Sequence, residues 1–114
     1  MSLIPEKLQA LLRSNWRRNL FENNSLDLKP VVKIFLPDAD FTALFTEMDP
    51  DRQILFGLVD RGGGRMKVEA FHLPELETMR GNWGCFMECD ETFKAKMPLS
   101  GYVQQAARRG RIDV

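Results

Sequence analysis

The chain has 114 residues, with 16 basic and 16 acidic side chains that give a formal net charge of zero at neutral pH. Apolar residues make up 44% and charged residues 28%, which excludes a wholly disordered chain and a global field that would draw it onto nucleic acid or anionic lipid. Short apolar runs exclude a membrane-spanning helix, the first residues lack a secretory pattern, and two cysteines fit a reducing cytoplasm. We therefore expect a cytoplasmic protein with one compact domain over residues 1–114 and no membrane partner.

An amphipathic helix is predicted at the start of the chain. Pro5 suits the first helical position. An apolar face then recurs at helical spacing, formed by Ile4, Leu8, Leu11, Leu12 and Trp16. Arg17 and Arg18 fall at its carbonyl end, where positive charge is favoured. The polar stretch at residues 23–25 predicts a loop.

Four strand-like segments follow, at residues 31–36, 41–48, 53–60 and 66–70. The third segment is apolar on both faces, which predicts a central strand covered on two sides. In the fourth, Met66, Val68 and Ala70 alternate with charged residues, which predicts one buried and one solvent-facing side. Because the connections are short and glycines 62–64 favour a hairpin turn, the strands are expected to pair as an antiparallel meander.

Two helices and an edge strand complete the predicted fold. Residues 73–80 indicate a short helix that ends at Gly81, and residues 83–89 indicate an edge strand. Residues 98–109 indicate a final helix, with Gly110 as its C-terminal stop. The predicted class is α+β, in which an N-terminal, a short middle and a C-terminal helix pack on a meander of about four to five strands.

Five carboxylates fall in the segment 36–51, which holds no lysine or arginine: Asp38, Asp40, Glu47, Asp49 and Asp51. Mg²⁺ or Ca²⁺ needs several converging oxygens, but the spacing does not match a calcium-binding loop. Asp38 and Asp49 adjoin prolines in predicted turns, where aspartate caps its own backbone. An acidic surface would also fit the basic groove of a protein partner, because complementary fields speed encounter. We therefore assign no metal. An ordinary solvated surface and a partner-binding acidic face both fit these residues, and the second is the candidate functional site.

The C-terminal segment is basic and supports an alternative. Arg108, Arg109 and Arg111 are candidates to grip phosphates, and Arg17 and Arg18 are a second candidate pair. The same C-terminal arginines also suit the carbonyl end of the last helix. No zinc finger, RNP1 sequence or basic zipper is present in the sequence.

Motifs for catalysis and metal binding are not found in the sequence. It contains no nucleophile elbow, phosphate loop or metalloprotease helix. Cys85 and Cys89, with His72, supply one loose pair of zinc ligands and a lone histidine. The cysteines lie among apolar residues, which favours small buried hydrophobes. We expect a protein that is not an enzyme and holds no cofactor.

Several dispersed blocks resemble a known family. They are residues 30–35, 37–39, 46–50 and 56–58, Asp60, residues 80–81, Phe93 and residues 98–102. On these blocks the chain resembles, over nearly its full length, the short bacterial proteins classed as domain of unknown function 2958. The resemblance implies an accessory protein of a plasmid or other mobile genetic element, with no established activity. Our leading hypothesis is a non-catalytic protein-binding module, with host defence or replication machinery as its candidate target. The alternative is a DNA- or RNA-binding protein that uses the basic C-terminal segment.

Overall fold

The computed structural model describes residues 2–114. Its helices and strands are, in chain order, α1 (Glu6–Phe21), β1 (Val32–Phe35), β2 (Thr42–Met48), β3 (Ile54–Asp60), β4 (Met66–His72), α2 (Leu73–Thr78), β5 (Glu88–Cys89) and α3 (Leu99–Arg109). The five strands form one sheet in the order β4-β3-β2-β1-β5, and every neighbouring pair is antiparallel. The predicted α+β fold is therefore confirmed.

Helix α1 packs on one face of the sheet through a stripe that is partly polar. Leu12 is fully buried, and the polar side chains of Gln9 and Asn19 are almost fully buried. Gln9 is satisfied because its Nε2 donates to the carbonyl oxygen of Ile4 at 2.7 Å. Leu11, which the spacing placed on the apolar face, is 49% exposed. That prediction was wrong because the helix turns its 12 and 19 positions, rather than 11, toward the sheet.

Strand β2 is the centre of the sheet and is buried on both faces. On the face toward α1 and α2, its Phe45 packs with Leu55 and Val59 of β3. On the opposite face, its Leu44 packs with Leu58 and with residues of α3. The predicted interior position of segment 53–60 is confirmed, because β3 lies between β2 and β4. Helix α3 covers only part of that second face, so Phe56 of β3 remains 41% exposed.

A β-bulge interrupts β2 and reverses the direction of the side chains that follow it. Phe45 pairs with Gly57 and Glu47 pairs with Phe56, so Thr46 is an extra residue between them. The Thr46 hydroxyl donates to the carbonyl oxygen of Phe56 at 3.2 Å. In a regular strand, residues 45 and 47 would share a face. The bulge instead turns Glu47 to the face that α3 partly covers.

The hairpin between β3 and β4 is confirmed, and all three of its glycines have positive φ. The predicted buried side of β4 is wrong, because Val68 is 41% exposed and Ala70 is also exposed. Helix α3 reaches Met66 at the start of β4 but leaves the rest of this face of the strand open. Along residues 2–114, no helix combines the length and the apolar character that crossing a membrane requires.

Candidate functional site

A cavity of about 510 Å³ opens on the α3 side of the sheet, next to the bulge in β2. We call it the Glu47 cavity. Its walls come from α1, the α1–β1 linker, the end of β2 with the turn after it, and the start of β3, together with Ala70 of β4 and Leu99 of α3. The lining residues on which its chemistry depends are Trp16, Asn19, Leu26, Glu47, Arg52 and Phe56. An acid, an amide and aromatic rings therefore share one concave surface.

The Glu47 carboxylate is the buried polar group of this cavity. The residue is 7% exposed, and Nδ2 of Asn19 donates to both carboxylate oxygens, at 3.0 Å to Oε1 and 3.4 Å to Oε2. No other described residue donates a hydrogen bond to it. Burial raises the pKa of Glu47, and the bond from Asn19 opposes that rise only in part. Glu47 is thus a desolvated carboxylate with capacity for further donors.

Asn19 holds Glu47 and the linker after α1 at the same time. Its Oδ1 accepts a hydrogen bond from the backbone N–H of Leu26 at 3.0 Å, and its carbonyl oxygen accepts one from Asn24 at 2.7 Å. Asn23 and Asn24 adopt φ values of 55° and 59°, a left-handed conformation that asparagine tolerates better than most residues. The chain therefore reverses after α1 and brings residues 26–28 to the cavity wall.

The same linker ties α1 to the start of α3. The carbonyl oxygen of Leu28 accepts a hydrogen bond from the N–H of Leu99 at 2.8 Å. Asp27 accepts from the backbone N–H of Ser100 at 3.1 Å and also from the Ser100 hydroxyl. These bonds satisfy donors that the first turn of a helix leaves free. The wall of the Glu47 cavity is consequently fixed at both ends.

The turn after β2 forms the rim of the cavity. Oδ1 of Asp49 accepts hydrogen bonds from the backbone N–H groups of Asp51, at 2.9 Å, and Arg52, at 3.4 Å. Asp49 therefore shapes its own turn, as expected for an aspartate beside a proline. Arg52 is exposed and forms no salt bridge with any of residues 2–114. With Asp27, Glu47 and Asp49 against Arg52 alone, the cavity lining carries net negative charge.

The five acids of segment 36–51 do not lie together. Asp38 and Asp40 belong to the connection between β1 and β2, whereas Asp49 and Asp51 follow the other end of β2. A strand of this length separates its two ends by about 20 Å at about 3.3 Å per residue. Glu47 is buried near the second end. The structure thus brings Glu47 and Asp49 into one cavity and leaves Asp38 and Asp40 at the opposite end of β2.

The Asp38 carboxylate forms hydrogen bonds within the protein. Its Oδ2 accepts hydrogen bonds from the backbone N–H groups of Trp83, at 2.6 Å, and Cys85, at 3.3 Å. A Cβ atom at Gly81 would overlap the Asp38 carboxylate. Position 81 therefore has no room for a side chain beside the Asp38 carboxylate. Asp38 anchors the loop that leads to β5.

The predicted basic residues form two separate groups. Arg17 and Arg18 lie near the end of α1, close to the linker that holds the first turn of α3. Arg108 and Arg109 occupy the last turn of α3, and Arg111 follows it. An 11-residue helix separates its ends by about 16 Å. Because this distance separates the two groups, the five arginines do not form one surface. Arg109 is also paired with Asp113 at 3.3 Å.

The two cysteines are half-buried free thiols. Burial raises the pKa of the Cys89 thiol to about 11, and the neighbouring Glu91 and Asp90 add to that rise. Burial also raises the pKa of Cys85, with a contribution from Asp38. Both side chains are therefore protonated at neutral pH. Within residues 2–114, no three His, Cys, Asp or Glu side chains converge as metal ligands would.

A family model described as "Protein of unknown function (DUF2958)" matches residues 3–113. The chain belongs to the DUF2958 family. No curated protein and no solved structure matches it. The matched range covers every helix and strand of this DUF2958 protein and the whole of the Glu47 cavity. The resemblance drawn from the dispersed sequence blocks is thus confirmed.

Sequence reasoning found Glu47 and Asp49 of this DUF2958 cavity but missed Asn19 and assigned Trp16 to the core. Trp16 is half-buried and lines the cavity. One available signal was the position of Asn19. It lies two helical turns after Leu12 and therefore extends the apolar stripe of the first helix. A polar residue at such a position is buried only with hydrogen-bond partners. That pattern indicates a polar site beneath the helix, although it does not identify Glu47 as the partner.

We expect Glu47→Gln to stabilise the protein at pH 7. The raised pKa of Glu47 means that the native state binds this proton more tightly than the unfolded state. The contribution of protonated Glu47 to the stability of the native state is therefore complete below the pKa that this group has in the unfolded state. It is lost as the pH rises through the pKa that the group has in the native state. Glutamine accepts the Asn19 bond without a charge. Urea unfolding should show a gain at pH 7 that shrinks toward pH about 4, and a gain independent of pH would contradict this origin.

Proposed function

We propose that this DUF2958 protein is a non-catalytic protein-binding module whose Glu47 cavity receives a lysine or arginine side chain of a partner protein. The observation that carries the proposal is the Glu47 carboxylate, 7% exposed and bonded to one side-chain amide. A buried carboxylate with few donors is costly, so a cationic donor from a partner would relieve an existing cost as well as add a contact.

Charge and hydrogen-bond capacity favour a cation as the ligand. Glu47 already receives one N–H from Asn19, and each carboxylate oxygen has room for another donor. A guanidinium supplies two parallel N–H groups that match a carboxylate, and such charge-assisted pairs are stronger than neutral ones. Asp27 and Asp49 add negative charge to the same lining, whereas Arg52 is its only cation. An anionic ligand would meet repulsion from all three carboxylates.

The apolar walls favour a side chain with a long stem. Trp16, Leu26 and Phe56 line the cavity together with Glu47. Lysine and arginine carry methylene stems that pack on apolar surface while their charged ends bind polar groups. An aromatic face also attracts such a cation. A volume of about 510 Å³ falls in the range of protein ligand sites, which is large enough for such a side chain with its neighbouring backbone.

We propose further that the module acts in the cytoplasm as an accessory protein of a mobile genetic element. The resemblance to the family supports this placement, and a basic protein of host defence is the partner class that we favour. Proteins that bind nucleic acid expose basic grooves, and complementary fields accelerate encounter with an acidic cavity. The partner would be held through its lysine or arginine, without a chemical step on either protein.

A selection of random peptides on the immobilised protein tests the proposal. We expect enrichment of peptides with one lysine or arginine beside apolar residues. Replacement of a selected arginine by citrulline, its neutral isostere, should weaken binding about tenfold or more, because hydrogen bonds to charged groups contribute about 1.5–3 kcal/mol. Glu47→Gln should weaken binding of the arginine peptide by a similar factor, as measured by fluorescence anisotropy of the labelled peptide.

Glu75→Gln is the matched control, because Glu75 is an exposed residue of α2 and its replacement changes the net charge equally. It should leave peptide affinity unchanged. Selection of peptides without a cation, or equal affinity of Glu47→Gln and the wild type, would contradict the proposal. Since Glu47→Gln is expected to be at least as stable as the wild type, a loss of binding cannot be attributed to unfolding.

Nucleic-acid binding is the alternative, and the exposure of Arg108 and Arg111 favours it. Neither residue is in a salt bridge with any of residues 2–114. Binding of a labelled oligonucleotide that falls steeply with salt, and that is lost in Arg108→Ala and Arg111→Ala but kept in Glu47→Gln, would support this alternative. Absence of any oligonucleotide binding at low salt would remove it.

A further inference from the structure

The two edges of the sheet are very different. One edge is β5, with two residues, and the other is β4, with seven. All seven residues of β4 pair with β3 in regular register without a bulge. An edge strand presents unpaired N–H and C=O groups, and proteins usually protect such an edge by shortness, bulges, proline or several charges. β4 has only Lys67 as an exposed charge, so it is an available template for another strand.

The hydrogen-bond pattern shows which backbone groups of β4 point outward. The N–H of Arg61 donates to Arg65, and the N–H of Leu73 donates to Gln53, each at 2.9 Å. Hydrogen-bonded and non-hydrogen-bonded pairs alternate along an antiparallel ladder, so the odd-numbered residues of β4 bond to β3. The even-numbered residues, Met66, Val68, Ala70 and His72, therefore direct their N–H and C=O groups away from the sheet.

The side chains of β4 are complementary to a second copy of the same strand. Met66, Val68 and Ala70 share the open face, where Phe56 is the cross-strand neighbour of Ala70. Lys67 and Glu69 share the opposite face. Oε1 of Glu69 accepts from Arg61 at 2.7 Å, whereas Oε2 has no hydrogen-bond partner among the described residues.

Only one symmetric register pairs these charges. With Val68 opposite Val68 of the second copy, Lys67 lies across from Glu69 twice, and Met66 lies across from Ala70 twice. With the symmetry axis at position 67 or 69, lysine would face lysine or glutamate would face glutamate, which is unfavourable. The Val68-centred register also joins residues whose backbone groups point outward, so about six new main-chain hydrogen bonds form.

We propose that this protein forms a symmetric homodimer through antiparallel pairing of β4 with β4 of a second copy, in the register that places Val68 opposite Val68. The two sheets then form one continuous sheet across an isologous interface. Val68 and Phe56, each 41% exposed in the single chain, lie on the face where the two copies adjoin. Glu47 takes no part in the pairing, although Phe56 and Ala70 belong both to the Glu47 cavity and to the face where the two copies adjoin.

Sedimentation equilibrium of the full chain at several concentrations tests the dimer, with charge-swapped variants to test its register. The wild type should dimerise reversibly. Lys67→Glu and Glu69→Lys each place like charges across both pairs, and each should weaken self-association about tenfold or more. The double variant restores both pairs with reversed sign but, like Glu69→Lys, loses the intrachain bond from Arg61. It should therefore dimerise more tightly than either single variant. A mixture of the two single variants should form heterodimers, because a strand with two acids then faces a strand with two lysines at both charged pairs.

Val68→Pro tests the backbone contribution. The Val68 N–H points away from β3, so proline is tolerated there as on other edge strands while it removes a central donor of the dimer. This variant should keep the circular dichroism of the wild type and remain monomeric. Glu47→Gln should dimerise normally, which separates this inference from the proposed function. A wild type that is monomeric at every concentration, or a dimer that Val68→Pro and the charge swaps leave unchanged, would overturn the proposal.

Discussion

Gly57→Ala is expected to lower the free energy of unfolding by more than about 4 kcal/mol, in the extreme tail of single substitutions. Gly57 pairs with Phe45 beside the bulge in β2. A Cβ atom at position 57 would overlap the carbonyl oxygen of Leu44 and lie 2.8 Å from Cα of Phe45. Both are backbone atoms of the central strand, so no side-chain rotation relieves the contact. Since domains of this kind have about 5–15 kcal/mol of stability, a loss of this size would remove about a quarter of it or more.

Urea unfolding followed by circular dichroism measures this effect, and Gly101→Ala is the matched control. Gly101 lies in α3, and the three atoms nearest to an added Cβ all belong to the Met97 side chain, with Sδ at 2.7 Å. That side chain is flexible and can move. Alanine is also better than glycine in a helix by about 0.5–1 kcal/mol, so we expect Gly101→Ala to unfold near the wild-type midpoint. A wild-type midpoint for Gly57→Ala would contradict the close approach of β2 and β3.

Asn19→Ala is expected to cost about 2–4 kcal/mol, because it leaves two buried or half-buried groups without partners. Glu47 would lose its side-chain donor, and the N–H of Leu26 would lose its acceptor. The loss should be smaller in acid, where a protonated Glu47 no longer carries a desolvated charge. Ser14→Ala, at an exposed position of the same helix, should change stability by less than about 0.5 kcal/mol.

A double-mutant cycle with Glu47→Gln separates the two contributions of Asn19. In the Glu47→Gln background, Asn19→Ala no longer leaves a buried charge without a hydrogen-bond donor. The loss in free energy of unfolding that Asn19→Ala causes should therefore be smaller by about 1 kcal/mol or more. Guanidinium unfolding is unsuitable because the denaturant is itself a cation that could enter the cavity, so urea is the denaturant of choice. An equal cost in both backgrounds would show that Asn19 acts through the α1–β1 linker alone.

Local sequence determined most of the secondary structure. The strand-like segments 31–36 and 41–48, the three glycines of the hairpin, and Gly110 after α3 all correspond to elements of the fold. Gly110 ends α3 with φ of 74°, as the sequence predicted. These features depend on backbone preferences and on neighbours a few residues away, and such interactions are present in any context.

Exposure of the sheet faces was not predictable in the same way. Residues 53–60 are apolar on both sides, and Val68 and Ala70 alternate with charges, yet Phe56, Val68 and Ala70 are exposed. The pattern of a strand shows which residues share a face but not what covers that face. Coverage depends on where α3 lies, which its own distant contacts with Leu44 and Leu58 decide.

The candidate site, too, was predictable in part from the sequence and was decided in part by the tertiary structure. From the sequence alone came the family, the α+β class, and an acidic segment that includes Glu47 and Asp49. Tertiary structure alone decided that β2 separates the acids of that segment, that the bulge at Thr46 turns Glu47 to the open face, and that Asn19 meets it there. A bulge depends on the partner strand, and a buried carboxylate depends on residues 28 positions away along the chain. Neither dependence is expressed in local periodicity.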